Sequence, residues 1–483
     1  MKILFAVSEC VPFIKSGGLA DVAGSLPKEL NSLGMDVRVI LPKYQLIPDE
    51  YKKKMKKIAE FIVPVGWRNQ YCGIDMLELD GVTYYFIDNE YYFKRSQMYG
   101  DFDEGEQFAY FNRAILESIS EIDFYPDVIH CHDWHTGMVP FLLQEQYRER
   151  DGYNTIQTVF TIHNLQFQGI FPYDILGDLF GLNAQECRTE LLEFYGNVSF
   201  MKAALLTADK ITTVSPTYMN EIQTVYFGEK MDGVLRSREA DLVGILNGID
   251  YEMYNPKTDT LIASQYDGTD TEAHLLNKLE LQKQFGLPQD KEIPLIAMVT
   301  RLTKQKGLEL VRGVFHEIMD TGAQLIVLGT GEREFEYFFS QMSIQYYNQC
   351  KVFIGFDEGL AHRVYAGSDF FLMPSKFEPC GLSQLIALRY GSIPIVRETG
   401  GLNDTVKSYN GEVGTGNGFT FTNFNAHDML YTIERALEYF KDPKQWNQLV
   451  EHVMQLDFSW AQSAKIYQQL YADLTKESVY VCQ

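Results

Sequence analysis

The sequence predicts an α/β protein made of two doubly wound domains. Short apolar runs of strand length alternate with helix-length runs. The alternation comes as two series with a connecting segment between them, the pattern of two separately wound sheets. At 483 residues the chain is also too long for one hydrophobic core. A length prior of about 150 residues per domain would allow roughly three domains; the two series select two.

The first series opens at Met1 to Glu9, whose apolar run is too short for a signal peptide and reads as a buried parallel strand. Lys15-Ser16-Gly17-Gly18-Leu19-Ala20-Asp21-Val22 follows, then Leu26, Leu30 and Leu33 at helical spacing and Gly34 as a stop. Strand, glycine loop and helix is a layout that can cradle phosphate. Asp36 to Leu41 is the next strand and completes a βαβ unit of about 40 residues. Residues 58–88 predict an antiparallel insertion with Asp80-Gly81 as its hairpin turn. A helix from about Glu106 to Ile122 leads to the strand Asp127 to His132, whose end carries Asp133-Trp134-His135. Asp133 is placed to cap the helix running on toward Gln146. The strand Thr158 to Ile162 ends in the same way at His163-Asn164. Ligands of open α/β sheets bind outside the carboxyl ends of strands, so these two polar clusters are expected in one crevice. Lys210 to Val214 and Leu242 to Leu246 are two further strands, the second ending in the turn Asn247-Gly248.

Residues 250–271 have connecting composition, and then the alternation restarts. Its strands are Leu295 to Val299, Gln324 to Leu328 with Gly329-Thr330-Gly331 behind it, Val352 to Ile354, Phe370 to Met373 and Ile393 to Val396. Helices are expected after Lys306-Gly307, up to Met342, around Ala361 and up to Tyr390, and Thr399-Gly400-Gly401-Leu402 repeats the loop pattern. The last helices, including Ile466 to Leu474, follow Asp457-Phe458-Ser459-Trp460, with Ser459 as a cap. Sequence alone does not assign them to a domain.

Composition narrows the function. With 46% hydrophobic and 22% charged residues the chain is an ordinary globular protein. A net charge of -23 repels nucleic acid and anionic membrane, so neutral or small partners are expected. Cysteines 10, 72, 131, 187, 350, 380 and 482 form no CxxC pair and are odd in number, which argues against a disulfide framework or zinc ribbon and for a cytoplasmic protein. No run of 18 apolar residues is present.

The chemistry centres on Glu378-Pro379-Cys380-Gly381-Leu382-Ser383-Gln384, a carboxylate, a proline and a glycine directly ahead of an apolar, helix-length run. A helix starting near Cys380 would aim free N–H groups and its positive dipole end at an anion. An acid beside an anion hole makes sense if it holds neutral hydroxyls next to a phosphate, which predicts a sugar phosphate or sugar nucleotide. Arg301 and Lys306, at a strand end and the next helix start, supply cations in a chain with 42 basic against 65 acidic residues. The Lys15-Ser16-Gly17-Gly18 loop pairs another cation with backbone that can approach phosphate closely, though it lacks the glycines of a Walker loop.

Two clusters invite a metal reading. His130, His132 and His135 surround Cys131, but on a strand 130 and 132 share a face while 131 points away, and no second Cys/His cluster completes a zinc site. Asp101-Phe102-Asp103 with Glu104 and Glu106 has the look of a divalent-metal site, yet it lies just before a helix, where acids stabilise the dipole. Capping, with no metal, is the expectation.

Taken together, Lys-Ser-Gly-Gly-Leu-Ala-Asp, His-Asp-Trp-His, Thr-Ile-His-Asn, Asn-Gly-Ile-Asp, Arg-Leu-Thr-Lys-Gln-Lys-Gly, Glu-Pro-Cys-Gly-Leu-Ser-Gln and Thr-Gly-Gly-Leu resemble bacterial glycogen synthase and plant starch synthase, from Lys15 to Trp460 and in the same order. The resemblance implies a GT-B fold, two Rossmann-like domains with the catalytic cleft between them, and a C-terminal helix that crosses back. The domains would be 1–247 plus 458–483 and 248–457. It implies transfer of glucose from ADP-glucose to the nonreducing-end 4-hydroxyl of an α-1,4-glucan, with retention and with no cofactor or metal. Carried over by residue, Lys15, Gly17 and Gly18 would meet the donor's phosphates and sugar, and Asp21 its nucleotide. Asp133, His163 and Asn247 would touch the donor glucose, His163 also through its carbonyl. Arg301 and Lys306 would clamp the diphosphate, Glu378 would bind glucose hydroxyls, and the amides of Cys380, Gly381, Leu382 and Ser383 would complete the anion hole.

Two positions depart from the family pattern. Phe356 stands where Tyr is usual, which keeps an adenine platform without the phenol, and Ser383 replaces Thr with its hydroxyl kept. Three other readings share these motifs: an inactive glucan-binding protein of the same fold, a transferase using UDP-glucose, and a glucan phosphorylase, for which no pyridoxal phosphate lysine is evident.

Overall fold

The computed structural model describes residues 1–182 and 189–481. Cys187 and Cys482 lie outside them. The chain divides into two compact units, Met1–Asn247 with the chain from Trp460 onward, and Gly248–Ser459. The return crossing therefore follows Ser459 instead of Asp457. Ile249 donates its amide to the Phe458 carbonyl at 2.9 Å, which ties the two crossing strands together inside the second unit.

The strands of the first unit are β1 (Lys2–Ala6), β2 (Asp36–Pro42), β3 (Lys56–Val65), β4 (Arg68–Leu79), β5 (Val82–Asp88), β6 (Val128–His132), β7 (Gln157–Ile162), β8 (Ile170–Pro172), β9 (Glu193–Phe194), β10 (Asn197–Ser199), β11 (Lys210–Thr213) and β12 (Leu242–Gly244). Nine of them form one sheet in the order β12-β11-β7-β6-β1-β2-β5-β4-β3. Its inner strands β1 and β6 are buried along nearly their whole length because both faces are covered. The expected insertion at 58–88 is instead part of this sheet: β5 pairs parallel with β2, and β4 and β3 extend the edge antiparallel. Asp80 and Gly81 form the hairpin turn at φ 49 and 75, the paired positive values of a two-residue hairpin. β8, β9 and β10 make a small separate sheet that the sequence did not signal, each strand being three residues or fewer.

The helix Trp460–Val481 belongs to the first unit. Ser463 Oγ donates to the Leu246 carbonyl at 2.5 Å and Gln468 Nε2 to the Leu33 carbonyl at 3.2 Å. Tyr471 is fully buried, with its hydroxyl 2.7 Å from His130 Nδ1 on β6.

The second unit carries a six-stranded parallel sheet of β13 (Leu295–Val299), β14 (Gln324–Gly329), β15 (Cys350–Ile354), β16 (Phe370–Met373), β17 (Ile393–Arg397) and β18 (Phe419–Phe421), in the order β15-β14-β13-β16-β17-β18. Its helix Thr271–Gln284 was not expected from sequence. That helix buries Asn277, Lys278 and Gln282, and Lys278 pairs with Asp369 at 2.7 Å, so polar residues occupy positions where an apolar stripe would have shown.

In each sheet the strand order reverses once between neighbours that each continue in opposite directions: β1 and β6 in the first unit, β13 and β16 in the second. A crevice opens at such a switch point, outside the carboxyl ends of the strands.

Replacing Tyr471 with Phe should leave His130 Nδ1 buried without its partner. A loss of about 1–3 kcal/mol in unfolding free energy is expected, read by chemical denaturation beside the wild type. Unchanged stability would contradict the bond's importance.

Candidate active site

The switch point of the second unit gathers the residues expected around the diphosphate. Arg301 follows β13 and is exposed, and its guanidinium has no hydrogen-bond or ion-pair partner among the described residues. The turn Lys304–Lys306 comes next. Glu378 follows β16, and its Oε2 lies 2.7 Å from Lys306 Nζ and 3.0 Å from Ser375 Oγ, with side-chain exposures of 14% for Lys306 and 7% for Glu378. The family resemblance gives the cation to phosphate and the acid to sugar; the structure brings the two into contact.

Backbone fixes this arrangement. Gly307 has φ +70, and a Cβ there would overlap the Pro374 carbonyl at the end of β16. Lys376 donates its amide to the Gln305 carbonyl at 2.8 Å, so the two loops are laced together. From the next strand, Gly401 donates to the Glu378 carbonyl at 3.1 Å, and a Cβ on Gly400 or Gly401 would overlap the carbonyls of Glu378 or Cys380. These glycines are needed for close approach.

The helix after Glu378 is Ser383–Arg389, so it begins three residues later than expected. Gly381 takes φ +72 and breaks the helix path there. Gln384 turns back, giving its Nε2 to the Cys380 and Gly381 carbonyls at 3.1 and 2.9 Å. The amides of Gly381, Leu382 and Ser383 have no acceptor among the described residues, which leaves three consecutive donors open. Cys380 is buried. Phe356, beyond β15, is 72% exposed and offers a free aromatic face.

At the switch point of the first unit, the loop after β1 and the helix Gly18–Ser32 bring Lys15 Nζ to 2.7 Å from Asp21 Oδ1. The anion at this helix start is the chain's own Glu9, which sequence reading missed. Its carboxylate accepts from the Ser16 amide at 2.5 Å and faces the Gly17 amide. Burial raises the Glu9 pKa and these hydrogen bonds partly offset it. The Gly18 amide has no acceptor among the described residues. The signal for Glu9 was weak: an acid three residues past a buried strand, outside any motif.

Asp133, after β6, sits at φ 55. It makes no side-chain cap to the turn that follows, contrary to expectation. Its Oδ1 instead accepts from the amides of His163 at 2.8 Å and Asn164 at 3.4 Å, joining the ends of β6 and β7. Burial pushes its carboxyl up to about 7, against the lowering effect of those two amides. His163 is pushed down to about 3 by burial, so its ring is neutral at pH 7. Asn247 is buried after β12, with Oδ1 unpartnered among the described residues.

The acidic run at Asp101 lies at a helix start as expected, with Glu104 and Glu106 in the first turn, but Asp103 is not a side-chain cap. Arg95 holds Asp103 through both guanidinium ends at 2.5 and 2.8 Å and Asp101 at 3.3 Å, and Asp103 makes no cap bond. Glu104 accepts the Gly100 amide at 2.8 Å. His130 bonds Tyr471 and Thr161, and among the described residues no group of three His, Cys, Asp or Glu is arranged to hold a metal.

The Asp133 shift carries a pH signature. Unfolded, this carboxyl titrates near its usual value of about 4; folded, near 7. The stability it supports is full below the lower value and is lost as pH rises through the upper one. Asp133→Asn keeps the acceptor and removes the titration, so its stability relative to wild type should rise by roughly 1–3 kcal/mol between pH 4 and 8. A pH-independent difference in denaturation would contradict this.

Residues 2–237 match the family described as starch synthase catalytic domain, and residues 278–452 match glycosyl transferases group 1. The chain is 65% identical to a glycogen synthase of Geobacillus thermodenitrificans over 99% of its length and 98% of that protein's. It is 62% identical to one of Anoxybacillus flavithermus, over the full length of both. Among solved structures, the catalytic domain of starch synthase IV from Arabidopsis thaliana, described as bound to ADP and acarbose, superposes with a TM-score of 0.92 at 34% identity, covering 98% of this chain and 99% of that one. Sucrose-phosphate synthase of Thermosynechococcus elongatus shares the fold, with a TM-score of 0.62 at 18% identity and 99% of each chain covered. With its two parallel-sheet units of GT-B type, the chain belongs to the glycogen synthase and starch synthase family of glycosyltransferases.

Proposed function

We propose that this enzyme transfers glucose from ADP-glucose to the nonreducing-end 4-hydroxyl of an α-1,4-glucan, with retained configuration. The observation that carries the proposal is the second unit's switch point, where open cation, carboxylate and three free amides lie on adjoining loops. The ADP in the similar Arabidopsis structure supports the nucleotide.

Arg301, Lys306 and the amides from Cys380 to Ser383 take the diphosphate, and Phe356 stacks on adenine. Glu378 accepts from glucose hydroxyls. Its Oε2 already holds Lys306, so charge on that lysine meets the leaving group while the carboxylate meets the sugar. Asp133, His163 and Asn247 contact the transferred glucose, and Lys15, Gly17, Gly18 and Asp21 assist at its phosphates and nucleotide. Asp133 binds the His163 amide, which orients the His163 carbonyl toward the anomeric carbon in this reading.

Glycosyl transfer passes through an oxocarbenium-like transition state and needs a stabilised leaving group. Cations and backbone donors supply that stabilisation, and the reading requires no metal ion or other cofactor. A carboxylate nucleophile must approach opposite the leaving group. Glu378 shares its loop with the diphosphate amides, so it orients the donor, and retention follows from attack and departure on one face.

Glucan and nucleotide sugar are the partners, with no nucleic acid or membrane, in the cytoplasm. Among the described residues no helix is long and apolar enough to cross a membrane. Loss of the phenol at Phe356 favours testing a second donor, UDP-glucose. The assay supplies each nucleotide sugar with maltooligosaccharide and measures released nucleotide. ADP release that depends on the glucan is expected; no turnover of ADP-glucose would overturn the proposal.

Arg301→Ala and Lys306→Ala should each lower kcat by about 10²–10³, because their charge matters most as the diphosphate departs. Glucan binding, followed by affinity electrophoresis, should hold. An equal loss of glucan affinity would contradict the assignment.

A further inference from the structure

Two histidines of the first unit are bonded to each other: His132 Nδ1 lies 3.0 Å from His163 Nε2. His132 is fully buried and tightly held. Its ring lies 4.1 Å from that of His130 and 4.9 Å from that of Phe5, and its amide donates to Thr136 Oγ1 at 2.7 Å. His130 is fixed in turn by Tyr471 at 2.7 Å and Thr161 at 2.6 Å. His163 is only half-buried, and its Nδ1 has no partner among the described residues.

Burial holds both rings neutral, His163 at about 3 and His132 well below the usual histidine range, so each ring carries one proton. A bond between two neutral imidazoles needs one donor and one acceptor. His132 Nε2 is buried and unpartnered, and this decides between the two arrangements. A proton on Nε2 would leave an N–H sealed away from any acceptor. A proton on Nδ1 leaves only a lone pair unsatisfied, and orphaned buried N–H groups are the rarer of the two. His132 Nδ1 is then the donor to His163 Nε2, and the His163 proton is driven to Nδ1.

We propose that His132 is a positioning residue that locks His163 as its Nδ1–H tautomer, so that His163 presents an N–H donor, not a lone pair, to an oxygen of the donor glucose. The contact with glucose rests on the role proposed for His163 above; the tautomer does not. Asp133 fixes the same residue from its backbone side through the amide, so ring and main chain are set independently.

Selective ¹⁵N labelling of histidine separates the tautomers of a neutral ring, and the His163 signal is assigned by its loss in His163→Gln. The unliganded wild type should show His163 protonated on Nδ1. Two substitutions of His132 test the consequence. His132→Asn places an amide nitrogen where Nδ1 stands and should keep kcat within about threefold. His132→Gln places its amide near Nε2 and should lower kcat at least ~10-fold with the KM for ADP-glucose within about threefold. His163 protonated on Nε2 in the wild type, or equal kcat for the two variants, overturns the proposal. If a variant fails to fold, the wild-type spectrum decides. Wild-type protein that turns over neither ADP-glucose nor UDP-glucose defeats the proposed function, and the spectrum still decides the tautomer.

Discussion

The largely buried ion pair between Lys306 and Glu378, 2.7 Å long, is the contact around which the second unit's site is built. Taking two charges out of water is costly and is offset only where geometry is good and the remaining lone pairs are satisfied. Ser375 supplies one such bond to Glu378 Oε2. The Glu378 main chain is pinned separately, by the Gly401 amide and by the absence of side chains at Gly400 and Gly401. Three loops, from β13, β16 and β17, are therefore held in one arrangement before any ligand arrives. Such preorganisation matters because stabilising charges that need not move cost no reorganisation during reaction.

The first unit uses acids in the same way. Glu9 holds the glycine loop by its amides, and Asp133 ties the end of β6 to His163 and Asn164. Both carboxyls are pushed up in pKa by burial, and amide donors counter the effect in each case. These acids hold backbone. That differs from the role sequence motifs suggest for acids near a nucleotide site, which is direct contact with ligand. His163 beside them is half-buried, and its ring is bonded to that of His132.

Much of this was legible in sequence because parallel sheets advertise themselves. The buried strand β1 is apolar from Ile3 to Ala6, and β6, although it carries His130 and His132, is buried throughout; the polar clusters that follow them mark the strand ends. The switch points then place Lys15 with Asp133 and Arg301 with Glu378, since the motifs fall on the loops that topology brings together. What failed was local. The helix at Thr271–Gln284 hid because it buries Asn277, Lys278 and Gln282. Asp133 and Asp103 read as caps because a short acid ahead of a helix is the usual sign, whereas partners distant in sequence or across a loop, His163 and Arg95, claim them. The later helix start at Ser383 depends on Gly381 adopting positive φ, which a glycine permits but does not announce. Glu9 lacked any motif, and its loop-holding role appears only in three dimensions.

In the proposed reaction Glu378, held by Lys306, orients the donor sugar and is not a nucleophile. Incubation with a slow fluorinated ADP-glucose analogue, followed by peptide mass spectrometry, tests this most directly. The expected result is unmodified Glu378 at every time point while transfer to maltooligosaccharide proceeds. A glucosyl adduct on Glu378 that forms and decays at the rate of transfer would contradict it.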